Sequence, residues 1–333
     1  MKNKSLIVWA LSCFSLFCSA QAPVQKGLMS IDRSTAEAHI DFLASDALQG
    51  REAGCNGSRI AARYLASQLQ LMGISPLHTT YFQPFSAYHQ ERQKRGRWQV
   101  HPDSIARLEK EVHQKIDLTN VLGVIRGRQT DEYVIVGAHF DHLGIDPMLT
   151  GDQIYNGADD NASGVSAVLQ IAKAFVKSGR QPERTVIFAF WDGEEKGLLG
   201  SQYFVQSSSF IKEVKGYLNF DMIGRDSDPK NPRTVMYFYT QAHPAFEQWL
   251  KEDIKTYHLD LDPNYRPWDN PVGGSDNGPF AKVGIPIIWY HTGGHPDYHQ
   301  PSDHADRLNW AKVVDITKAS FLNVWNLANE KNY

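Results

Sequence analysis

Residues 185–201, TVIFAFWDGEEKGLLGS, constrain the fold of this chain more than any other stretch. Residues 185–191 are apolar or β-branched without interruption, which is typical of a strand buried on both faces of a sheet. Three carboxylates follow, those of Asp192, Glu194 and Glu195, and acids in this position line the ligand crevice of open α/β sheets. Neighbouring carboxylates repel each other, so they need a cation or a shared proton, unless they form only a solvated turn that caps a helix.

Strand and helix patterns alternate along most of the chain. Uninterrupted or alternating apolar runs mark strands, and apolar residues with a period near 3.6 mark helices. The predicted strands are 120–125, 133–138, 185–191, 216–220, 235–239 and 285–290, and the predicted helices are 34–48, 59–71, 162–177, 197–205, 245–257 and 311–327. The alternation predicts an α/β fold, a single three-layer domain in which helices cover a mixed, largely parallel sheet.

One catalytic domain is expected for residues 21–333, because neither a linker nor an internal repeat interrupts them. Residues 89–117 read as a polar insertion, which is too short for a separate domain of usual size. A basic cluster at 92–97 beside Trp98 could in principle contact nucleic acid. In an acidic chain, with a formal net charge of -3, we expect it to be a solvated loop whose role stays open.

Residues 1–20 have the pattern of a secretory signal peptide. Two lysines precede an apolar region at 5–17, and small residues end the pattern at Ala20. We therefore expect export to the periplasm or the extracellular space. A lipoprotein signal that ends at Cys13 or Cys18 is the alternative.

Cleavage of this signal leaves Cys55 as the one cysteine of the mature chain, so an internal disulfide is excluded. Stability must then come from the core or from bound metal. No later stretch resembles a transmembrane helix, and the charge gives no indication of a nucleic-acid partner. The mature chain is expected to be a monomer without an integral membrane segment.

Five strand ends or adjoining loops each offer an imidazole or a carboxylate. They read HFDH at 139–142, GADDNASG at 157–164, DGEE at 192–195, NFD at 219–221 and DYH at 297–299. Two imidazoles and three carboxylates suit a borderline cation such as Zn²⁺ better than a thiolate site or an all-oxygen Ca²⁺ site. Three ligand charges exceed what one Zn²⁺ usually takes, which favours two divalent ions that share a carboxylate and a water.

The order and the residues of these segments resemble the motifs of the M28 metallopeptidases, the group of bacterial di-zinc aminopeptidases. The matching motifs are VGAHFDH, GADDNASG, WDGEEKGLLGS, NFDMIG and GGHPDYHQPSD, preceded by an entry segment, LASDALQGREAG. The resemblance covers residues 40–308. It implies two Zn²⁺ per chain, with His139 and Asp221 on one ion, Glu195 and His299 on the other, and Asp160 as the bridge.

The resemblance also implies roles for residues that do not bind metal. Glu194 would be the general base, Asp141 would orient the imidazole of His139, and Tyr298 would steady the tetrahedral intermediate. The peptide bond after Asp160 would be cis. The implied activity is that of a secreted or periplasmic aminopeptidase, which hydrolyses the N-terminal peptide bond of peptides with a free N-terminus.

Several polar residues nearby have simpler explanations. His142, His291 and His295 are expected to orient ligands or loops rather than to bind metal. Asp159 is expected to satisfy the start of the following helix, and Asp276 either lies at the pocket wall or caps a helix.

Two other functions stay open at this point. A glutaminyl cyclase would share the fold, hold a single zinc and catalyse an intramolecular acyl transfer. A non-catalytic binding protein on the same scaffold would normally lose ligands or the base, and this sequence keeps all of them.

Overall fold

The computed structural model describes residues 22–90, 97–110, 112–269 and 273–333. The signal peptide predicted at 1–20 and the basic residues at 92–96 lie outside the described residues. The helices are α1 (22–28), α2 (Arg33–Leu43), α3 (Asn56–Leu71), α4 (Pro102–Leu108), α5 (Gly164–Ser178), α6 (Leu199–Ser207), α7 (Ala245–Tyr257), α8 (Asn277–Lys282) and α9 (Trp310–Asn329). The strands are β1 (Ser75–Pro76), β2 (Phe82–Gln90), β3 (His113–Ile125), β4 (Gln129–His139), β5 (Gly144–Ile145), β6 (Ile154–Tyr155), β7 (Arg184–Trp191), β8 (Val214–Phe220), β9 (Thr234–Tyr239), β10 (Asp262–Pro267) and β11 (Ile287–His291).

Nine strands of the described chain form one mixed sheet, in the order β1-β3-β7-β4-β8-β11-β9-β10, with β2 also paired to β3. Strands β7, β4, β8 and β11 at its centre are parallel to one another. Their register pairs His139 with Trp191, Ala138 with Phe220, and Phe220 with Tyr290. The four strands therefore end at nearly the same level, and the residues that follow them reach one edge of the sheet.

Helices cover both faces of the sheet, because its central strands are apolar on both faces. Every residue of β7 is buried. On one face α3, α5 and α9 pack against the strands and α2 packs on α5 and α9, with Leu65 and Phe321 among the core residues. On the other face α6 and α8 bring Phe204 and Phe280 against Trp191. This arrangement confirms the predicted three-layer α/β fold.

The polar segment at 89–117 contains more regular structure than its sequence indicates. Strands β2 and β3 form a long antiparallel pair that runs from Phe82 opposite Val121 to Gln90 opposite His113. The predicted strand at 120–125 is therefore only the inner end of β3. The outer half of β3 is mostly exposed or half-buried on both faces, so its sequence lacks the alternation on which strand prediction depends.

The predicted helix at 34–48 is also shorter in the structure. Helix α2 ends at Leu43, and a tight helical turn, Asp46–Arg51, follows it. None of the helices formed by the described residues is both long enough and apolar enough to cross a membrane.

Candidate metal centre

The ends of the central strands bring the predicted ligands to one edge of the sheet. His139 is the last residue of β4, Asp221 directly follows β8, and Glu195 lies in the turn after β7. Asp160 lies in the irregular turn before α5, and His299 lies in the loop after β11. These side chains come from five separate segments, and they meet where open α/β sheets hold their ligands.

Two clusters of donor atoms share Asp160. In the first cluster, His139 Nε2 lies 3.3 Å from Asp160 Oδ1 and 3.7 Å from Asp221 Oδ1. In the second, His299 Nε2 lies 3.2 Å from Asp160 Oδ2 and 3.3 Å from Glu195 Oε2. Ligand atoms about 2.0–2.1 Å from a tetrahedral Zn²⁺ are about 3.3 Å apart. Both clusters therefore have the spacing that a Zn²⁺ ion requires.

Asp160 turns one carboxylate oxygen towards each cluster, which is the arrangement of a bridging ligand. Its peptide bond to Asn161 is cis, as the resemblance implies. Its backbone N–H and that of Asp159 donate to Oδ2 of the buried Asp303, at 3.1 and 2.9 Å. Asp303 thus holds the backbone of the bridging residue in place.

The imidazoles and carboxylates of the centre influence each other's ionisation. Hydrogen bonds to Asp160 and Glu195 raise the pKa of His299 to about 10. Burial opposes ionisation of Asp160, but the neighbouring imidazoles, first that of His142, outweigh it and hold the pKa of Asp160 well below its usual range. A bound divalent cation replaces the protons on such imidazoles, because a histidine binds metal in its neutral form.

Glu194 is the chain neighbour of Glu195, yet it belongs to neither donor cluster. Burial raises the pKa of its carboxyl well above the usual range, the charge of His139 opposes this shift, and the charge of Asp221 adds to it. A carboxyl with a raised pKa can accept and return a proton near neutral pH. The surroundings of Glu194 therefore suit a general base.

Asp141 is fully buried next to the centre, and its backbone carbonyl and its side-chain carboxylate contact different residues. His139 Nδ1–H donates to the backbone carbonyl of Asp141 at 3.2 Å, whereas the Asp141 carboxylate is 3.8 Å from that nitrogen. The carboxylate instead accepts from the backbone N–H groups of Glu194 and Glu195, at 3.0 and 3.4 Å. This differs from the expected role, because the carboxylate positions the two glutamates while the carbonyl orients the imidazole.

His142 lies closer to the second cluster than its place in the sequence indicates. Its Nδ1–H donates to Glu195 Oε1 at 2.7 Å, and the same nitrogen is 3.9 Å from Asp160 Oδ2. Glu195 therefore contacts His142 through one oxygen and His299 through the other. With Asp160 and Glu195, His142 also forms a set of donor atoms close enough together to hold a metal ion, so its expected role as an orienting residue stays a prediction. The sequence signal for it was its position three residues after His139.

His291, His295 and Asp159 contact residues next to the clusters rather than the clusters themselves. His291 Nδ1–H donates to the carbonyl oxygen of Asp221 at 2.6 Å. His295 Nε2 lies 3.3 Å from Asp159 Oδ2, and both side chains are fully buried. Asp159 Oδ1 accepts from the backbone N–H of Gly224 at 2.6 Å. These contacts fix the loops that carry Asp160 and Asp221.

Tyr298 stands at the entrance to the centre. Its side chain is 45% exposed and stacks on His299, with 3.9 Å between the ring centroids. A cavity of about 220 Å³ opens between Tyr298 and Asp221, and its remaining walls are apolar, aromatic or glycine. These wall residues are Met222, Gly274, Trp289, His291 and Gly294. Among the described residues that line it, Asp221 is the one carboxylate and there is no lysine or arginine, so this part of the cavity fits an uncharged side chain.

Asp276 lies at the N-cap position of α8, one of the two places expected for it. It is fully buried next to α8, but its side chain makes no capping hydrogen bond to that helix. Ser201 donates a hydrogen bond of 2.5 Å to its carboxylate, and burial raises the pKa of Asp276 to about 7. Its charge adds to the factors that raise the pKa of Glu194.

Known proteins resemble this chain in sequence. A sequence model of the group described as Peptidase family M28 matches residues 120–323. Leupeptin-inactivating enzyme 1 of Streptomyces exfoliatus is 32% identical over 190 residues, which are 56% of this chain and 38% of that enzyme. A protein of Arthroderma otae named "Probable leucine aminopeptidase" is 30% identical over 223 residues, 64% of this chain and 58% of that protein. The matched region thus spans less than two thirds of either relative.

Solved structures resemble it in fold. A zinc aminopeptidase from Bacillus subtilis superimposes with a TM-score of 0.68 at 14% identity, over 91% of this chain and 97% of that protein. The glutaminyl cyclase of Porphyromonas gingivalis superimposes with a TM-score of 0.64 at 15% identity, over 88% of this chain and 98% of that protein. At such low identities the likeness establishes the fold alone.

Proposed function

This chain belongs to peptidase family M28, and from that membership and the geometry of its centre we propose that it is a zinc-dependent aminopeptidase. One observation carries the proposal. Two donor clusters of Zn²⁺ spacing share the carboxylate of Asp160, and Glu194 beside them is left without a ligand role.

In this proposal the two clusters would hold two Zn²⁺ ions, and both would include the carboxylate of Asp160. The other ligands would be His139 and Asp221 in the first cluster and Glu195 and His299 in the second. When bound, the pair of ions lowers the pKa of a shared water and polarises the carbonyl of the scissile bond.

The chain's own groups move the protons. Glu194 accepts the proton of the attacking water and later delivers it to the nitrogen of the leaving amine. Asp141 keeps Glu194 in place through the hydrogen bond to its backbone N–H. Burial raises the pKa of Tyr298, so its hydroxyl stays protonated and donates a hydrogen bond to the carbonyl oxygen under attack.

The N-terminal residue of the substrate would fit between the second cluster and the cavity. The carboxylates of Asp160 and Glu195 attract a protonated α-amine, whereas an acylated nitrogen carries no charge and needs additional space. The uncharged cavity beside Asp221 then receives the side chain. We infer a preference for apolar N-terminal residues, which the name of the Arthroderma otae relative supports.

Hydrolysis of aminoacyl-p-nitroanilides tests this function directly. Release of p-nitroaniline is expected from leucyl and methionyl substrates with a free amine, and not from their N-acetylated forms. Aspartyl and lysyl substrates serve as matched controls for the uncharged cavity. Chelator should abolish the release and added Zn²⁺ should restore it. Equal cleavage of free and acetylated substrates would disprove the exopeptidase assignment.

A glutaminyl cyclase is the second candidate, because the fold likeness extends to the cyclase of Porphyromonas gingivalis. That alternative predicts one Zn²⁺ per chain and release of ammonia from peptides with N-terminal glutamine. The aminopeptidase predicts two Zn²⁺ per chain and release of free amino acids. Metal analysis of the purified protein and an ammonia assay separate them.

A further inference from the structure

Arg51 is one of the largest fully buried side chains of the described chain, with 1% of its surface exposed. Its guanidinium donates four hydrogen bonds, and every acceptor is a backbone carbonyl. Nε donates to Phe140 at 2.8 Å, Nη1 donates to Leu43 and to Asn156, and Nη2 donates to Gly157 at 3.0 Å. One side chain thus joins three segments that are distant in sequence.

Two of these segments carry the centre. Phe140 directly follows His139, and Gly157 lies three residues before Asp160. The backbone carbonyl of Arg51 also accepts from the N–H of His142 at 3.2 Å. Arg51 therefore contacts the backbone on both sides of the first donor cluster.

The turn that presents Arg51 fits tightly against the loop after β4. A Cβ atom on Gly50, where φ is +67°, would lie 2.2 Å from the carbonyl oxygen of Gly144. This close approach of two backbones needs glycine at position 50. The turn is therefore shaped for contact with the loop that follows His139.

Among the described residues no carboxylate lies within ion-pair distance of Arg51, although the charges of Asp160, Asp141 and Asp303 act on it from further away. Burial lowers the pKa of Arg51 to about 10, so its guanidinium still carries a charge at neutral pH. That charge is positive, and by itself it repels a cation bound nearby. Any gain in metal binding from Arg51 must then come from its hydrogen bonds.

We propose that Arg51 is a positioning residue, which sets the spacing of His139 and Asp160 by holding the carbonyls beside them. The proposal rests on the metal centre of the proposed function, but not on the reaction it catalyses. A residue that orients metal ligands without binding the metal itself typically contributes about 10- to 100-fold to metal affinity.

The chain supplies a matched control in Arg184. This arginine is also buried and donates to the carbonyls of Leu327 and Lys331, at 2.8 and 3.2 Å, and unlike Arg51 it also forms an ion pair with Glu132 at 2.7 Å. It begins β7, about 23 Å from the end of that strand at about 3.3 Å per residue. Substitution of Arg184 removes hydrogen bonds to backbone carbonyls far from the centre, together with the ion pair to Glu132.

Titration of the metal-free protein with Co²⁺, followed by visible absorption, tests the proposal without any peptide substrate. For R51M we expect the dissociation constant of Co²⁺ to rise about 10- to 100-fold with an altered absorption spectrum. R184M should keep the wild-type constant and spectrum. Thermal unfolding of both metal-free variants, measured by circular dichroism, shows how much stability each has lost.

Three outcomes would overturn the proposal. Tighter Co²⁺ binding by R51M would mean that Arg51 acts only through its charge, and unchanged binding would mean that it only stabilises the fold. If R51M does not fold, the Co²⁺ affinities of R51K and R184K are compared instead. Lysine keeps the charge of arginine but lacks its planar fork of donors. Equal Co²⁺ affinity of R51K and R184K would then refute the proposal that Arg51 positions the ligands. A protein that binds Co²⁺ as expected but cuts no peptide would refute the proposed function instead.

Discussion

At the residue scale, two adjacent glutamates receive opposite tasks from their surroundings. Hydrogen bonds from His142 and His299 outweigh burial and the charge of Asp160, and so lower the pKa of Glu195. Burial raises the pKa of Glu194, and it has no imidazole within ion-pair distance among the described residues. These opposite shifts suit the metal binding proposed for Glu195 and the proton transfer proposed for Glu194.

The substitution E194Q tests whether Glu194 transfers protons while Glu195 binds metal. The amide keeps the shape of the side chain but cannot accept a proton, so kcat should fall by about 10²- to 10⁴-fold. Zinc content should stay at the wild-type level, because Glu194 belongs to neither cluster. E195Q is the matched control, and it should lose Zn²⁺ as well as activity. Loss of metal in E194Q would show that it is a ligand and not the base.

Whether the role of a residue could be predicted depends on how far apart in the sequence the residue and its contacts lie. The five proposed ligands each follow a strand or precede a helix within a short motif, so a local pattern identifies them. Arg51 acts through carbonyls 89 to 106 positions away. The carboxylate of Asp141 likewise acts on backbone 53 and 54 positions away. Such contacts leave no local pattern, because a backbone carbonyl accepts from any donor that the fold brings near.

At the scale of elements, α7 carries an acid on its buried face. Phe246, Leu250 and Asp253 are its buried residues, and they face the core at helical spacing. Asp253 Oδ2 has no hydrogen-bond partner among the described residues. Burial raises the pKa of Asp253 from 3.8 to about 7. The helix therefore buries a carboxyl that is most stable when it carries a proton.

This arrangement makes stability depend on pH. Between the unfolded pKa and the folded pKa of about 7, the folded chain holds a proton that the unfolded chain has lost. The free energy of unfolding should therefore fall as the pH rises through this window, by at most about 4 kcal/mol at 1.36 kcal/mol per pKa unit.

D253N should remove much of this dependence. We expect it to be more stable than the wild type at pH 8 and little different at pH 4, measured by urea unfolding at both values. E252Q removes a charge from the exposed side of the same helix and should change stability far less. Equal pH dependence in wild type and D253N would contradict the assignment.

The elements differ in how well the sequence predicts them, and burial explains the difference. Strand β7 is buried along its whole length, so its apolar run is unmistakable. The outer part of β3 pairs with β2 at the side of the sheet and is largely exposed. Backbone hydrogen bonds hold such a strand whatever its side chains are, and no apolar pattern is required.

At the scale of the whole molecule, the centre should contribute to stability. It gathers Asp160, Glu195 and Asp221 within a few ångströms, and a divalent cation bound there would offset the repulsion among their charges in the folded state. A ligand that binds only the folded state stabilises it, by about 4 kcal/mol at 1,000 times its dissociation constant.

Removal of metal should therefore lower Tm by several degrees, and Zn²⁺ should restore it, measured by scanning calorimetry with and without chelator. The variant D160N, which lacks the shared carboxylate, should unfold at a temperature that chelator does not change. A wild-type Tm that is also insensitive to chelator would mean that the clusters hold no metal.

The donors of the centre are spread from His139 to His299, and the arginine behind them sits at position 51. Any partly folded chain that lacks one of these segments has an incomplete set of ligands. If these residues bind Zn²⁺ as proposed, the complete set of ligands would form only after the segments from His139 to His299 have come together.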